Sequence, residues 1–201
     1  MKKLLHVGCG FKTIAQTTDY FLDTEWVETR YDIDESVSPD IVGSMLNMDN
    51  LKDGSFDAIF SSHNIEHLFA TEVPVALSEF LRVLNESGFA IITCPDLQSV
   101  CKYVVSDQLV EPLYQSQIGP ISALDILYGH RSSIAEGNIH MAHKSGFTER
   151  ILVNTIKSVG FQGIVSAKRA EPYFDLWVIA SKELQSEKHL RELALANFPK
   201  V

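Results

Sequence analysis

Residues 4–10, Leu4-Leu5-His6-Val7-Gly8-Cys9-Gly10, run apolar and then break into two glycines around a small residue. A short apolar run closed by glycine reads as a buried strand. Small residues after it allow a tight turn and a close approach of backbone to a ligand. A strand followed by such a turn opens many α/β sheets, whose ligands bind in the crevice beyond the carboxyl ends of the strands. The turn is not the dinucleotide fingerprint: its third glycine would fall at Thr13. A nicotinamide-dependent oxidoreductase is therefore disfavoured.

Outward from this turn the elements alternate. Trp26 to Ile33 reads as a second strand, Asp40-Ile41-Val42-Gly43 as a short third, and Phe56 to Phe60 as a fourth entered through Lys52-Asp53-Gly54-Ser55. Val73, Leu77, Phe80, Leu81 and Leu84 recur at helical spacing, with Pro74 in the first turn and Gly88 past the end. Phe89 to Thr93 is a fifth strand. Thr148 caps a helix with Ile151, Leu152, Ile156 and Val159 inward and Gly160 as its stop, and Phe147 is placed to staple against Leu152. Gly163-Ile164-Val165 and Leu176 to Ala180 are two closing strands with no helix between them, hence an antiparallel hairpin. From Lys182 the tail reads as a polar, solvated helix.

This pattern predicts an α/β, doubly wound, mostly parallel seven-stranded sheet, with residues 1–201 as a single domain. The connection between the fifth strand and the Thr148 helix exceeds an ordinary loop. Residues 96–146 are therefore expected to form an inserted helical cap, with one helix face at Leu97, Val100, Cys101 and Val104 and another helix from Pro120 to Tyr128, stopped by Gly129.

Composition excludes several classes of function. A net charge of -9 disfavours a nucleic-acid partner, which needs a surplus of Lys and Arg. The opening Met1-Lys2-Lys3-Leu4-Leu5 stops at His6, too early for a secretory signal, and no apolar stretch is long enough to span a membrane. Cys9, Cys94 and Cys101 form neither an even framework nor a CxxC pair, which fits reduced thiols in the cytoplasm. Apolar residues from Leu109 to Ile118 are expected to pack on the body or on a second copy in a homodimer.

After the second strand comes Asp32-Ile33-Asp34, where a carboxylate can accept hydrogen bonds from both hydroxyls of an adenosine ribose. Asp32 is the candidate and Asp34 the capping residue. At this point the chain resembles the class I S-adenosylmethionine-dependent methyltransferases, in a branch of small enzymes with a Glu-His-Leu signature after strand four. The matching residues are Leu4 to Gly10, Asp32, Ser55 to Ile59, Ser61-Ser62-His63-Asn64-Ile65-Glu66-His67-Leu68, Arg82-Val83-Leu84, Gly88 to Pro95, His143 through Thr148 to Gly160-Phe161, and Leu176 to Ala180.

The resemblance implies a Rossmann-like methyltransferase fold, with S-adenosylmethionine as cofactor. Gly8, Cys9 and Gly10 would line its methionine and ribose portion, and Asp32 with Ile33 its ribose. Ser44, Met45 and Leu46 would flank adenine, while Ser62 and His63 would face the transfer chamber. His6, Lys12 and Ser44 depart from the usual residues: an acid near the methionine ammonium, a third loop glycine and an aspartate at the adenine edge. The signature for methylating base amines is absent, which again disfavours nucleic acid.

The expected reaction is methyl transfer to an oxygen of a small polar acceptor, a saccharide or metabolite. A hydroxyl acceptor requires a base, and His143, His140 and His63 are the candidates. His63 and His67, four apart, are expected on one face of a helix, with His67 structural. His140-x-x-His143 has no carboxylate or thiolate at ligand spacing, so no metal is expected. A non-catalytic adenosyl-binding module is the alternative that the His6 and Ser44 departures raise.

Overall fold

The computed structural model describes residues 1–116 and 118–199, so Gln117, Lys200 and Val201 lie outside it. In chain order its strands and α-helices are β1 (Lys2–Val7), β2 (Trp26–Asp32), β3 (Ile41–Val42), β4 (Phe56–Ser62), α1 (Val73–Val83), β5 (Leu84–Pro95), α2 (Leu97–Val105), β6 (Pro112–Ser116), β7 (Gly119–Ser122), α3 (Ala123–Tyr128), α4 (Arg131–Ala135), α5 (Glu149–Ser158), β8 (Gly163–Arg169), β9 (Asp175–Ser181) and α6 (Glu187–Asn197). Seven strands form one sheet in the order β3-β2-β1-β4-β5-β9-β8. Every neighbouring pair is parallel except those of β9, which runs antiparallel to both β5 and β8. The doubly wound sheet and its closing hairpin are as the sequence predicts.

Helices cover both faces, which is why β1 is buried continuously from Leu4 to Val7. On one face Leu5, Val7, Ile59 and Ile92 pack with α1 and α5 through Leu77, Phe80, Leu152 and Ile156. Phe147 is buried in the same cluster as Leu152, as the expected staple requires. Thr148 is the N-cap of α5 by backbone alone, since its side chain makes no capping bond. Ile151, expected on the inner face, is 46% exposed.

The other face corrects the expectation of a solvated tail. The connections flanking β2 hold only 3-10 turns, so no α-helix from the first part of the chain covers Leu4, Phe60 and Ile91. Phe21 on the turn Asp19–Leu22 and Leu193 on α6 cover them instead. Asn197, one turn after Leu193, is buried and accepts a hydrogen bond from Thr18 Oγ1 at 2.7 Å. Leu190, Leu193, Ala194 and Asn197 do share one helical face, but the Asn and the flanking charges hide the stripe.

Two local expectations also change. Gly88 is not a helix stop: α1 passes directly into β5, and Gly88 lies in a stretch where pairing to β4 shifts register between Phe56 and Ala58. A Cβ there would meet the Asn85 carbonyl at 3.0 Å. Pro120 begins no helix; it pairs with Gln115 in the hairpin β6–β7, and the helix starts only after Ser122. Ser122 and Asp125 form a reciprocal capping box, a signal present in the sequence as Ser-x-x-Asp. Leu109, Leu113 and Tyr114 pack around Val100, Ile121 and Phe174 in the chain's own body, while Val110 and Ile118 are exposed. Among the described residues no helix is long and apolar enough to cross a membrane.

Candidate active site

The carboxyl ends of β1, β2, β4 and β5 open into a cleft of about 830 Å³, which residues between Tyr114 and Lys144 also line. All the sequence-predicted cofactor residues, from Gly8, Cys9 and Gly10 through Asp32 and Ile33, Ser44, Met45 and Leu46 to Ser62 and His63, line it. Gly8 and Gly10 have φ of 62° and 53°, the left-handed region that glycine tolerates. At Gly10 a Cβ would meet nothing within 4 Å, so the turn presents bare backbone to open space. At Gly8 a Cβ would lie 2.0 Å from Asn64 Oδ1. Asn64, which the sequence reading gave no role, donates from Nδ2 to the Val7 carbonyl at 2.9 Å and to Ser61 Oγ at 3.2 Å, tying the turn to β4.

Asp32 Oδ2 accepts from the Gly10 N–H at 2.7 Å and Oδ1 from the Asp34 N–H at 2.9 Å. An ionised carboxylate has about four lone-pair sites, so acceptor capacity remains for a ligand's hydroxyls. Asp34 caps the following 3-10 turn by accepting from Ser36 N–H at 2.9 Å, as expected. Arg30, also unassigned from sequence, donates to the carbonyls of Gly10 at 2.5 Å, Lys12 at 3.0 Å and Ser38 at 2.7 Å. One guanidinium therefore clamps the loops after β1 and β2 together, a use of its several fixed donors that no sequence spacing reveals.

The three departures acquire physical accounts. His6, 1% exposed, has its Nδ1 2.7 Å from Glu28 Oε1, so a carboxylate on β2 stands beside the position where β1 lacks one. Burial lowers the His6 pKa, and the Glu28 carboxylate only partly opposes it. Ser44 Oγ accepts from Leu46 N–H at 3.2 Å and shapes its own turn. Tyr31 braces that turn by donating to the Ser44 carbonyl at 3.2 Å, and a Cβ at Gly43 would collide with the Tyr31 hydroxyl at 2.1 Å. Lys12 N–H donates to the Cys9 carbonyl at 3.0 Å, closing the loop without a third glycine. Burial pushes the Cys9 thiol up, so it lines the cleft as a neutral group.

Beyond the glycine turn the cleft becomes a polar chamber. His63 and His67 do not share a helix face; His63 sits at φ 57° and His67 ends the 3-10 turn Ile65–His67. His63 Nδ1 lies 3.3 Å from Glu66 Oε1 and Nε2 lies 3.9 Å from Asp175 Oδ2. The His63 side chain is 45% exposed to the cleft, so the desolvation that opposes its charge is outweighed by the Asp175 and Glu66 carboxylates, which push its pKa up to about 9. His63 is therefore an imidazolium at neutral pH, unlike a base. Asp175 is itself bound by Arg169 and by Trp177 Nε1 at 3.2 Å.

Backbone pairing brings the two matching segments together: Lys144 and Ser145 N–H donate to the Glu66 carbonyl at 2.8 and 3.1 Å. His143 thereby reaches His67, ring centroids 4.9 Å apart, with buried Glu66 alongside. Its Nδ1 lies 2.8 Å from the Ile126 carbonyl, and burial lowers its pKa although the Glu66 charge opposes. His140 stands apart from this cluster, exposed on the turn Ile139–Met141 at the cleft. His130 caps α4 and Arg131 binds Asp125 at 2.8 Å, so both are structural. The sequence expectation that no carboxylate accompanies the histidines is corrected: Glu66 comes from the far side of the chain.

A seven-stranded, mostly parallel sheet in this order, with a glycine turn after its first strand and an acid at the end of its second, is the arrangement of the Rossmann-like methyltransferase fold. Residues 5–92 match the Methyltransf_11 model, described as a methyltransferase domain, and the chain is a methyltransferase with S-adenosylmethionine as its cofactor. No curated protein matches it in sequence. The PH0226 protein from Pyrococcus horikoshii OT3 superposes with a TM-score of 0.62 at 15% identity, covering 90% of this chain and 82% of that one. A SAM-dependent methyltransferase from Methanosarcina mazei gives 0.59 at 14%, covering 91% and 93%. The Burkholderia thailandensis 1,6-didemethyltoxoflavin-N1-methyltransferase, solved with its acceptor and S-adenosylhomocysteine, gives 0.55 at 16%, covering 89% and 69%. At these identities the likeness establishes the fold.

Proposed function

We propose that the chain transfers the methyl group of S-adenosylmethionine to an oxygen of a small polar acceptor held in the His63–Glu66–His143 chamber. The residues fit the cofactor: bare backbone at Gly10, spare acceptor sites on Asp32, and the apolar flank of Ile33, Met45 and Leu46. Gly8, Cys9 and Gly10 would hold its methionine and ribose, Asp32 the ribose hydroxyls, and Ser44 to Leu46 the adenine. When bound, the cofactor supplies an already activated methyl, so the chain's task is to position the acceptor and receive its proton.

The observation that carries the acceptor assignment is the polarity of the chamber. Neutral His143, with Nδ1 occupied by the Ile126 carbonyl, turns an accepting Nε2 away from it, as a hydroxyl donor requires. Imidazolium His63 supplies the opposite pole, a positive charge at the chamber wall. His140, at the mouth, has a contact role at most. Residues 96–146 act as the cap that encloses the acceptor and excludes water. The Burkholderia structure, an N1-methyltransferase with 1,6-didemethyltoxoflavin bound, is consistent with a small-molecule acceptor on this fold and leaves the acceptor atom to be tested.

Calorimetry with S-adenosylhomocysteine tests the cofactor half. Asp32→Ala removes charge-assisted hydrogen bonds of about 1.5–3 kcal/mol each, a loss in affinity of roughly a hundredfold. Equal affinity of variant and native chain refutes the assignment. Transfer of labelled methyl across polyols, phenols, saccharides and amines tests the acceptor half. Label on amines alone refutes oxygen, and no transfer at all favours the non-catalytic alternative.

A further inference from the structure

We propose that Glu66, His67 and His143 form a binding site for one divalent first-row transition-metal ion, beside the cofactor cleft. One donor atom from each residue lies within 4.8 Å of the others, the only such trio of His, Cys, Asp or Glu among the described residues. The three come from distant parts of the chain and are joined by the backbone bonds from Lys144 and Ser145 to the Glu66 carbonyl.

The hydrogen-bond inventory shows what this cluster lacks. Nδ1 of His67 lies 3.1 Å from the Ala142 carbonyl and Nδ1 of His143 lies 2.8 Å from the Ile126 carbonyl. A carbonyl only accepts, so both Nδ1 atoms carry hydrogen, and in the neutral ring each Nε2 is left as a lone pair. Metal-ligating histidines are typically held this way, with the second ring nitrogen donating to a carbonyl or carboxylate. Glu66 is 1% exposed, and neither of its carboxylate oxygens has a hydrogen-bond partner among the described residues. His63 Nδ1, 3.3 Å from Oε1, is outside hydrogen-bond geometry. Buried polar groups are otherwise paired, and an unpaired carboxylate is among the costliest exceptions. Three acceptors meet, and the cationic side chain beside them, His63, reaches only Glu66 Oε1, at 3.3 Å and off hydrogen-bond geometry; a metal ion between the three satisfies them all.

The donor set selects the ion. Two imidazoles and one carboxylate suit zinc, cobalt(II), nickel or iron(II), and not magnesium or calcium, which take oxygen ligands. Metal–donor bonds of about 2.0–2.2 Å bring tetrahedral donors to about 3.4 Å from one another, so the trio closes by about 1 Å through side-chain rotation. Glu66, His67 and His143 all line the cleft, so the remaining coordination positions face it. Binding of the ion is independent of methyl transfer. One lone pair cannot serve both roles: with the ion bound His143 is a ligand, and the base role proposed above belongs to the metal-free chain.

The test is titration of the full chain, free of any histidine tag, with cobalt(II) followed by visible absorption, and X-ray absorption of the zinc form. Stoichiometric uptake with low-symmetry d–d bands, and two imidazoles plus oxygen at the zinc edge, is expected. Glu66→Gln and His143→Asn weaken uptake about tenfold or more, whereas His189→Ala on α6 leaves it unchanged. No uptake at millimolar cobalt(II), a zinc edge without two imidazoles, or equal uptake by folded variants overturns the proposal. Where a variant misfolds by circular dichroism, the zinc edge of the native chain alone decides. Parallel calorimetry with S-adenosylhomocysteine separates the two readings: metal uptake without cofactor binding sinks the proposed function and leaves the metal site standing.

Discussion

Gly8 and Asn64 make a closed local problem whose energetics follow from the structure. Alanine at Gly8 must adopt φ 62°, which costs a residue with a Cβ about 1–2 kcal/mol. Its Cβ also falls 2.0 Å from Asn64 Oδ1, so the amide must leave. Leaving forfeits two hydrogen bonds, to the Val7 carbonyl and Ser61 Oγ, at about 1 kcal/mol each. Gly8→Ala is thus expected to destabilise by about 3–4 kcal/mol and Asn64→Ala by about 2 kcal/mol. In the double variant the amide is lost only once, so the total stays at about 3–4 kcal/mol rather than 5–6, a coupling near 2 kcal/mol. Urea unfolding of the native chain, both single variants and the double variant measures each value, with a common m-value confirming comparable denatured states. Additivity to within about 0.5 kcal/mol would refute the reasoning, because it would mean that the Gly8 Cβ finds room without moving Asn64.

Leu193→Ala on α6 is expected to lower stability by about 2–4 kcal/mol, read as a fall in the urea midpoint; a solvated tail would show no change. Asp125 tests a linkage: its buried side chain bonds Arg131 and Ser122, and although burial favours the neutral form these partners hold the pKa well below the usual carboxylate range. A depressed folded-state pKa stabilises above the unfolded value near 4 and is lost as pH falls toward the folded one. Asp125→Asn should therefore cost about 1–2 kcal/mol at neutral pH, with the gap to the native chain narrowing below about pH 4. Thermal unfolding across this range checks it, and a gap that widens in acid would reverse the assignment.

What the sequence determined by itself was local and periodic. The apolar run of β1, its glycine turn, Asp32 after β2 and the helical spacing of α1 and α5 are interactions between near neighbours, so spacing alone exposes them. Pairing across the chain was a different matter. Asn64 against Gly8, Arg30 across two loops, Leu193 on the sheet and Glu66 beside His143 join residues whose proximity no local pattern encodes. The helix α6 was misread because one buried Leu and a buried Asn make too thin a stripe among charges, and its partner Thr18 lies at the other end of the chain. The hairpin β6–β7 was missed because Pro120 sits in a two-stranded ribbon, where a strand edge tolerates the lost donor. The site followed the same division. The strand-end residues Gly8, Gly10 and Asp32 were legible from spacing, and those from Ser44 to His63, which line the same cleft, only from the resemblance. The polar chamber around Glu66, where burial and unmet hydrogen bonds decide which groups are charged, exists only once the tertiary structure has closed Glu66 against the histidines.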